Sequence, residues 1–233
     1  MAAYRGRGVH GKTVEDLGTR IVSGRMPEGH TLDLAALETE LDVSLTALRE
    51  ALKVLAAKGL VDARQRRGTY VTPRGRWNLL DADVMRWEFA AAGPERGGGL
   101  LRDLAEVRAA VEPACARSAA LRRTEADLEA LDGALAAMAA AYGDPARAVE
   151  ADLAFHRALF AASHNELLAR MDLFIEAGLA QRDRLVHAAP HEDPVPVHRA
   201  VLDAVRARDP EAAESAVRRL LAQARRDETR RDP

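Results

Sequence analysis

The stretch Leu34–Val71, LAALETELDVSLTALREALKVLAAKGLVDARQRRGTYV, decides the fold of its neighbourhood. Leu34, Leu37 and Leu41 recur at helical spacing and predict a short helix, ended by a turn at Asp42-Val43-Ser44. Ser44 or Thr46 then offers a hydroxyl to cap a second helix, accepting from a backbone N–H that the first turn leaves without an intrahelical partner. In that helix Leu48, Leu52 and Leu55, with Ala47 and Ala51, make one apolar face, and Thr46, Arg49, Glu50 and Lys53 point outward. Strands over Leu60 to Arg64 and Thr69 to Val71 follow, a hairpin tipped by Arg67-Gly68 that carries Arg66 and Arg67. A helix buried on one face, with Arg and small polar residues in its N-terminal half, fits a DNA major groove, and the basic hairpin fits the flanking backbone or minor groove. The pattern predicts a winged helix-turn-helix. A helical hairpin with a solvated charged face is the bland alternative.

Upstream, Val14, Leu17, Ile21 and Val22 predict an amphipathic helix over Thr13–Arg25, stopped by Gly24 and Pro27. The opening MAAYRGRGVHGKTV is basic with no apolar run behind it, which excludes a secretory signal and reads as a basic arm. The formal net charge of −2 argues at first against a nucleic-acid partner, but the charges are unevenly placed. Residues 1–76 carry 13 Lys and Arg against 9 Asp and Glu, and the remainder carries 21 against 27. A positive head on an acidic body is the distribution of a DNA-binding module joined to a metabolite-binding one. The single cysteine, Cys115, excludes an internal disulfide framework and suits a reducing cytoplasm. No apolar run approaches the roughly 20 residues that span a bilayer, so no membrane partner is expected.

Past the wing, TPRGRWNLLDADVMRWEFAAAG leaves the head through Pro73 and Gly75 and starts a helix near Asp81 or Asp83, with Trp77 and Trp87 as anchors. This helix is expected to close at Gly93-Pro94, and Gly97 to Gly99 to make a flexible loop. No Lys-Ser/Thr follows those glycines, so they are not a phosphate loop. From Leu100 on, segments 100–122, 124–142, 145–163, 166–188, 195–208 and 210–230 each carry helical spacing. Thr124, Asp144-Pro145 and Asp209-Pro210 read as starts, and Gly143 and Ser163-His164-Asn165 as stops. The expected fold is mainly α: a winged head of three helices and a small β-hairpin over 1–76, a linker with a short helix over 77–99, and an all-helical antiparallel bundle over 100–233.

Within the bundle, Asp152 and His156 are four residues apart on one helix face flanked by Leu153, Phe155, Leu159 and Phe160. A carboxylate and an imidazole one turn apart can hold the same divalent cation, and His198 on another helix can add a nitrogen. Arg108, near Val107, Val111 and Cys115, suits a bidentate clamp on a carboxylate. An Asp-His pair at this spacing also occurs as a plain surface pair, and a lone His198 or Arg108 as a structural residue. His10, His30, His164, His187 and His191 fall in loops or near helix ends and read as solvated.

VSLTALREALKVLAAKGLV, the RRGTYV wing and the upstream LGTRIVSGRMPEG resemble the GntR family of bacterial transcription regulators. AEVRAAVEP, ADLAFHRALFAASHNELL and HRAVLDAVRARDPEAAESAV resemble the all-helical FCD-type effector domain of its FadR-like branch. In the head one departure matters: where the family carries Arg after Ser44, this chain has Leu45, which alters base readout if that Arg contacts guanine. The resemblance implies a homodimeric regulator reading an inverted-repeat operator in double-stranded DNA, with Ser44, Leu45, Thr46, Arg49, Lys53, Arg66, Arg67 and Gly68 at the DNA. It also implies a divalent metal held by an Asp and three His, which here become Asp152, His156 and His198, with Leu220 in the fourth place. Three ligands still suffice for Zn or Ni with water or effector completing the shell; otherwise these side chains bind a sugar hydroxyl directly. RWNLLDADVMRW resembles the linker of repressors of galactonate and related sugar-acid catabolism, which makes an aldonate the expected effector. Its carboxylate would pair with Arg108, and with Arg225 or Arg226, while Asp152, His156 and His198 take its hydroxyls. The alternatives are a regulator sensing another organic acid, an amino acid or an acyl ligand, and a metal-dependent helical-bundle enzyme, against which stands the lack of any nucleophile with an adjacent base.

Overall fold

In the computed structural model, which describes residues 8–91, 94–141, 143–171, 176 and 192–229, the helix-turn-helix forms where its leucine spacing and caps require. α1 (Val9–Val22), α2 (Leu34–Leu41) and α3 (Leu45–Ala57) pack through Leu17, Ile21, Leu37, Leu48, Leu52 and Leu55. α1 begins earlier than the expected Thr13, directly after Gly8, which stands at its N-cap with φ 103°. Of the two candidate caps Ser44 is the one used: its hydroxyl accepts from the Ala47 N–H at 3.2 Å. Asp42 closes α2 in the left-handed region at φ 51°, and the Glu38 carboxylate accepts from the Leu45 N–H at 2.8 Å, tying the end of α2 to the start of α3.

The wing is an antiparallel pair, β1 (Val61–Arg64) and β2 (Gly68–Val71), in register Val61 to Val71 and Arg64 to Gly68. Its tip is therefore Gln65–Arg67 rather than Arg67-Gly68, since Gly68 is already paired. A short 3-10 turn (Arg74–Arg76) leads to α4 (Ala82–Ala91). The stretch 77–99, expected as a linker, gives α4 to the first core: Trp87 is buried, and its ring lies so close to Gly18 of α1 that a Cβ there would meet it at 2.5 Å. Trp77 packs on the same core and donates its indole N–H to the Thr72 carbonyl at 3.1 Å. The chain divides into two compact units, Met1–Gly97 and Gly98–Pro233.

The second unit is built from α5 (Pro94–Arg122), α6 (Glu125–Ala140), α7 (Pro145–Ala162), α8 (Glu166–Arg170), α9 (Val195–Arg206) and α10 (Pro210–Thr229). Contrary to the expected loop, Gly97 to Gly99 lie inside α5. Each glycine costs a helix about 1 kcal/mol relative to alanine, and Pro94 stands at the first helical position, where its fixed φ suits the helix. The helix expected over 166–188 is described as far as Arg170; its remainder, like His187 and His191, lies outside the described residues apart from Met171 and Glu176. Leu131, Leu135, Phe155, Leu159, Val201, Leu202, Val205 and Val217, from α6, α7, α9 and α10, are all but fully buried and form the core. Asp144 accepts from the Arg147 N–H and Asp209 from the Ala212 N–H, as their places before Pro145 and Pro210 predict. Thr124 and Asp127 make a reciprocal capping box at the start of α6. Thr124→Ala is expected to cost about 1 kcal/mol, read as a lower urea midpoint with helix content unchanged below it. Among the described residues no helix is long and apolar enough to cross a membrane.

Candidate functional site

On the first unit, Thr46, Arg49, Glu50 and Lys53 are exposed on one side of α3, as the periodicity requires, and Leu45 is half-buried at its first turn. Lys53 pairs with Glu50 at 2.7 Å, and that contact holds the Glu50 carboxyl below its ordinary range. Lys53 therefore presents a charge already shared within the helix. The wing arginines differ from one another. Arg66 sits exposed at the tip in the left-handed region, φ 66°, beside Gly68 at φ 81°. Arg67 turns back: it donates to the Gly29 carbonyl at 2.9 Å and lies 4.1 Å over the Tyr70 ring, so it braces the wing. His10, expected to be solvated, is half-buried in α1 and lines a groove with Glu50, Lys53 and Val54 of α3.

On the second unit, Asp152 and His156 of α7 and His198 of α9 converge, each offering a ligand atom within 4.8 Å of the others, and all three are buried. The pairing of the outer nitrogens fixes what the inner ones can do. His198 Nδ1 lies 2.7 Å from the Pro194 carbonyl, which only accepts, so Nδ1 carries a proton, and Nε2 is turned inward, 3.1 Å from Asp152 Oδ1. His156 Nδ1 lies 3.2 Å from the Glu112 carboxylate, and its Nε2 is 3.7 Å from Asp152 Oδ2. Two inward-facing imidazole nitrogens and a carboxylate this close need a proton or a cation between them. Burial disfavours charge on His156, but Glu112 and then Asp152 outweigh it and raise its pKa. A divalent metal would take the place of that proton, so the donor set fits one, with the outer carboxylate and carbonyl orienting the imidazoles as such partners do.

Sequence reasoning missed Glu112, which is wholly buried on α5, bonded to Arg108 Nε and facing His156. Its spacing of four from Arg108 was the available signal. Burial raises its pKa, yet Arg108 and His156 more than reverse this and hold the carboxyl down at about 2. Arg108 also points Nη2 at His156 Nε2, 3.4 Å away, so the guanidinium joins the cluster. Arg226 does not: it is 54% exposed and lies 3.7 Å from Glu192, while Arg225 donates to the Ala105 carbonyl at 3.2 Å. α10 is turned so that Leu220 and Gln223 are buried and these two arginines exposed, which corrects the clamp expected from them. His164, expected to be solvated, pairs with Asp127 at 2.7 Å. Cys115 is buried, and that burial, with Glu112, pushes its thiol up to about 12, so it stays protonated.

Residues 11–71 match the bacterial regulatory proteins of the gntR family, and residues 103–223 match the FCD domain. The chain belongs to the GntR family, with an FCD domain. Its relatives include the galactonate operon transcriptional repressor of Escherichia coli K12, 34% identical over 219 residues, which are 92% of this chain and 94% of that protein. The regulator LutR of Bacillus subtilis 168 is 38% identical over 149 residues, 64% of this chain and 65% of its own. Among solved structures, a Streptococcus agalactiae GntR superposes with a TM-score of 0.51 at 26% identity, covering 93% of this chain and 99% of that one. This GntR-family chain is thus a DNA-binding transcription regulator and not an enzyme, and its buried Asp152–His156–His198 cluster falls within the FCD domain.

Proposed function

We propose that this GntR-family chain represses genes of sugar-acid catabolism, binding an inverted-repeat operator as a homodimer and leaving it when an aldonate enters the FCD domain. The observation that carries this reading is the buried convergence of Asp152, His156 and His198 beside Arg108, in a chain 34% identical over nearly its whole length to a galactonate operon repressor. Asp152, His156 and His198 hold a divalent ion such as Zn or Ni, which supplies a positive centre for the effector carboxylate. Leu220, buried in the core where a fourth ligand was expected, leaves that position of the shell to water or effector. Arg108 presents donors to an acceptor on the same ligand. At the DNA, Thr46 and Arg49 read or position α3 in the major groove, with Ser44 and Leu45 at its entry, and Arg66 and Gly68 form the wing tip. Lys53 and Arg67, each engaged within the protein, contribute mainly charge near phosphate. Two heads on two half-sites multiply a weak single-head affinity.

The test is binding to DNA upstream of the chain's own gene at fixed salt, titrated with aldonates and other small acids, with and without chelator. Release by an aldonate, lost on chelation and in Asp152→Ala, is the expected result. Release by another acid alone would replace the effector assignment, and metal-independent release would remove the ion. No specific binding in any condition would sink the repressor reading for this operator.

A further inference from the structure

α10 supplies no ligand at Leu220, but one turn later it reaches the cluster by another route. Gln223 is buried, at 7% exposure, and its side-chain N–H donates to the Asp193 backbone carbonyl at 3.2 Å. The next carbonyl, that of Pro194, accepts from His198 Nδ1 at 2.7 Å and from the His198 backbone N–H at 3.2 Å. We propose that Gln223 is a positioning residue that sets which nitrogen of His198 faces the cluster, acting through the Asp193–Pro194 turn.

Peptide planarity makes the link. The Pro194 carbonyl shares a plane with the Val195 N–H, and that N–H is held by the Asp193 side chain at 2.9 Å. The Asp193 carbonyl belongs to the preceding plane, and Gln223 holds that one. Fixing both planes fixes the Pro194 oxygen in front of Nδ1, and a carbonyl there keeps a proton on Nδ1 and turns Nε2 inward. Among the described residues α10 also reaches this segment through Arg226, 3.7 Å from Glu192 between exposed side chains. Without the amide donor, the 193–194 plane loses its hold, and the Asp193 side chain and the His198 backbone N–H are left to keep the Pro194 oxygen before the imidazole.

The biological meaning of Gln223 rests on the cluster being the effector and metal site, but the readout does not. The measurement is nitrogen-15 NMR of the His198 ring in metal-free protein, followed by cobalt titration. Wild type should show Nδ1 fully protonated. Gln223→Met, which keeps length and packing but has no donor, should show mixed tautomers and a cobalt Kd raised about tenfold. Asp193→Ala, an exposed position that releases the second plane, should move the ring shifts in the same direction and keeps the test open should Gln223→Met fold poorly. Wild-type shifts in both variants would overturn the assignment. Failure of wild type to bind cobalt would instead count against the metal reading, leaving the ring shifts to decide on Gln223.

Discussion

Lys58→Ala is expected to destabilise the first unit by about 3–5 kcal/mol, the range for stripping one partner from a buried ion pair. Lys58 ends α3, and its Nζ lies 2.7 Å from Asp81 and 2.8 Å from Asp83, with all three side chains at most 7% exposed. Asp81 also starts α4, its Oδ1 accepting from the N–H groups of Asp83 at 3.0 Å and Val84 at 3.2 Å. Asp83 in turn meets Arg86, which pairs with Glu15 of α1 through two contacts of 2.6 Å. One lysine therefore joins α3 to α4 and, through Asp83 and Arg86, to α1. Removing it leaves two buried carboxylates: Asp81 on its two backbone N–H groups, and Asp83 facing Arg86, which is 46% exposed and already engaged by Glu15. The backbone beside it leaves little room to adjust, since Gly59, at φ 78°, packs where a Cβ would come within 2.2 Å of the Arg76 carbonyl oxygen. Both tryptophans, Trp77 and Trp87, lie in this unit, so urea unfolding followed by their fluorescence reports it alone. A midpoint equal to wild type would mean the triad contributes nothing. The neutral triple variant Lys58→Met, Asp81→Asn, Asp83→Asn should recover much of the loss, because the cost lies in uncompensated charge rather than in absent attraction.

The parts of the molecule legible from sequence are those set by local period and caps. Leucine spacing, the Ser44 cap, the Asp42 turn and the Asp-Pro starts of α7 and α10 each act over a few residues, and each lies where the pattern placed it. Asp152 and His156 were legible for the same reason, and His198 as a nitrogen on another helix that the resemblance to the family then grouped with them. What escaped depends on residues distant in the chain. Arg67 looks like a free wing cation until Gly29 comes to meet it. The triple glycine looks like a loop, but the helix on its C-terminal side carries it along, as cooperative propagation permits. Glu112 left one local signal, its spacing of four from Arg108, which went unread, and its contact with His156 needed α5 and α7 side by side. Gln223 had no local signal at all, because the group it holds is a backbone carbonyl thirty residues away.

Glu112 also changes what replacing Arg108 should do. From the sequence, Arg108→Ala would remove only an effector clamp and leave the fold alone. In the structure it strips the cation from a carboxylate with no exposure, and a loss of about 3–5 kcal/mol is expected in the second unit. Burial would then favour the protonated form of Glu112, and the carboxylate that orients His156 Nδ1 would weaken with it. Loss of aldonate release in Arg108→Ala alone would thus follow from either cause. The double variant Arg108→Met, Glu112→Gln separates them: it removes both charges, keeps the volumes, and leaves an amide oxygen to face His156. Helix content followed through urea should place its midpoint well above that of Arg108→Ala, while aldonate release from operator DNA stays absent if the guanidinium meets the ligand. Restored stability with restored release would make Arg108 a structural partner of Glu112 and nothing more. A double variant no more stable than Arg108→Ala would show that the pair stabilises the domain by its own attraction, against the charge-burial argument made for both Lys58 and Arg108.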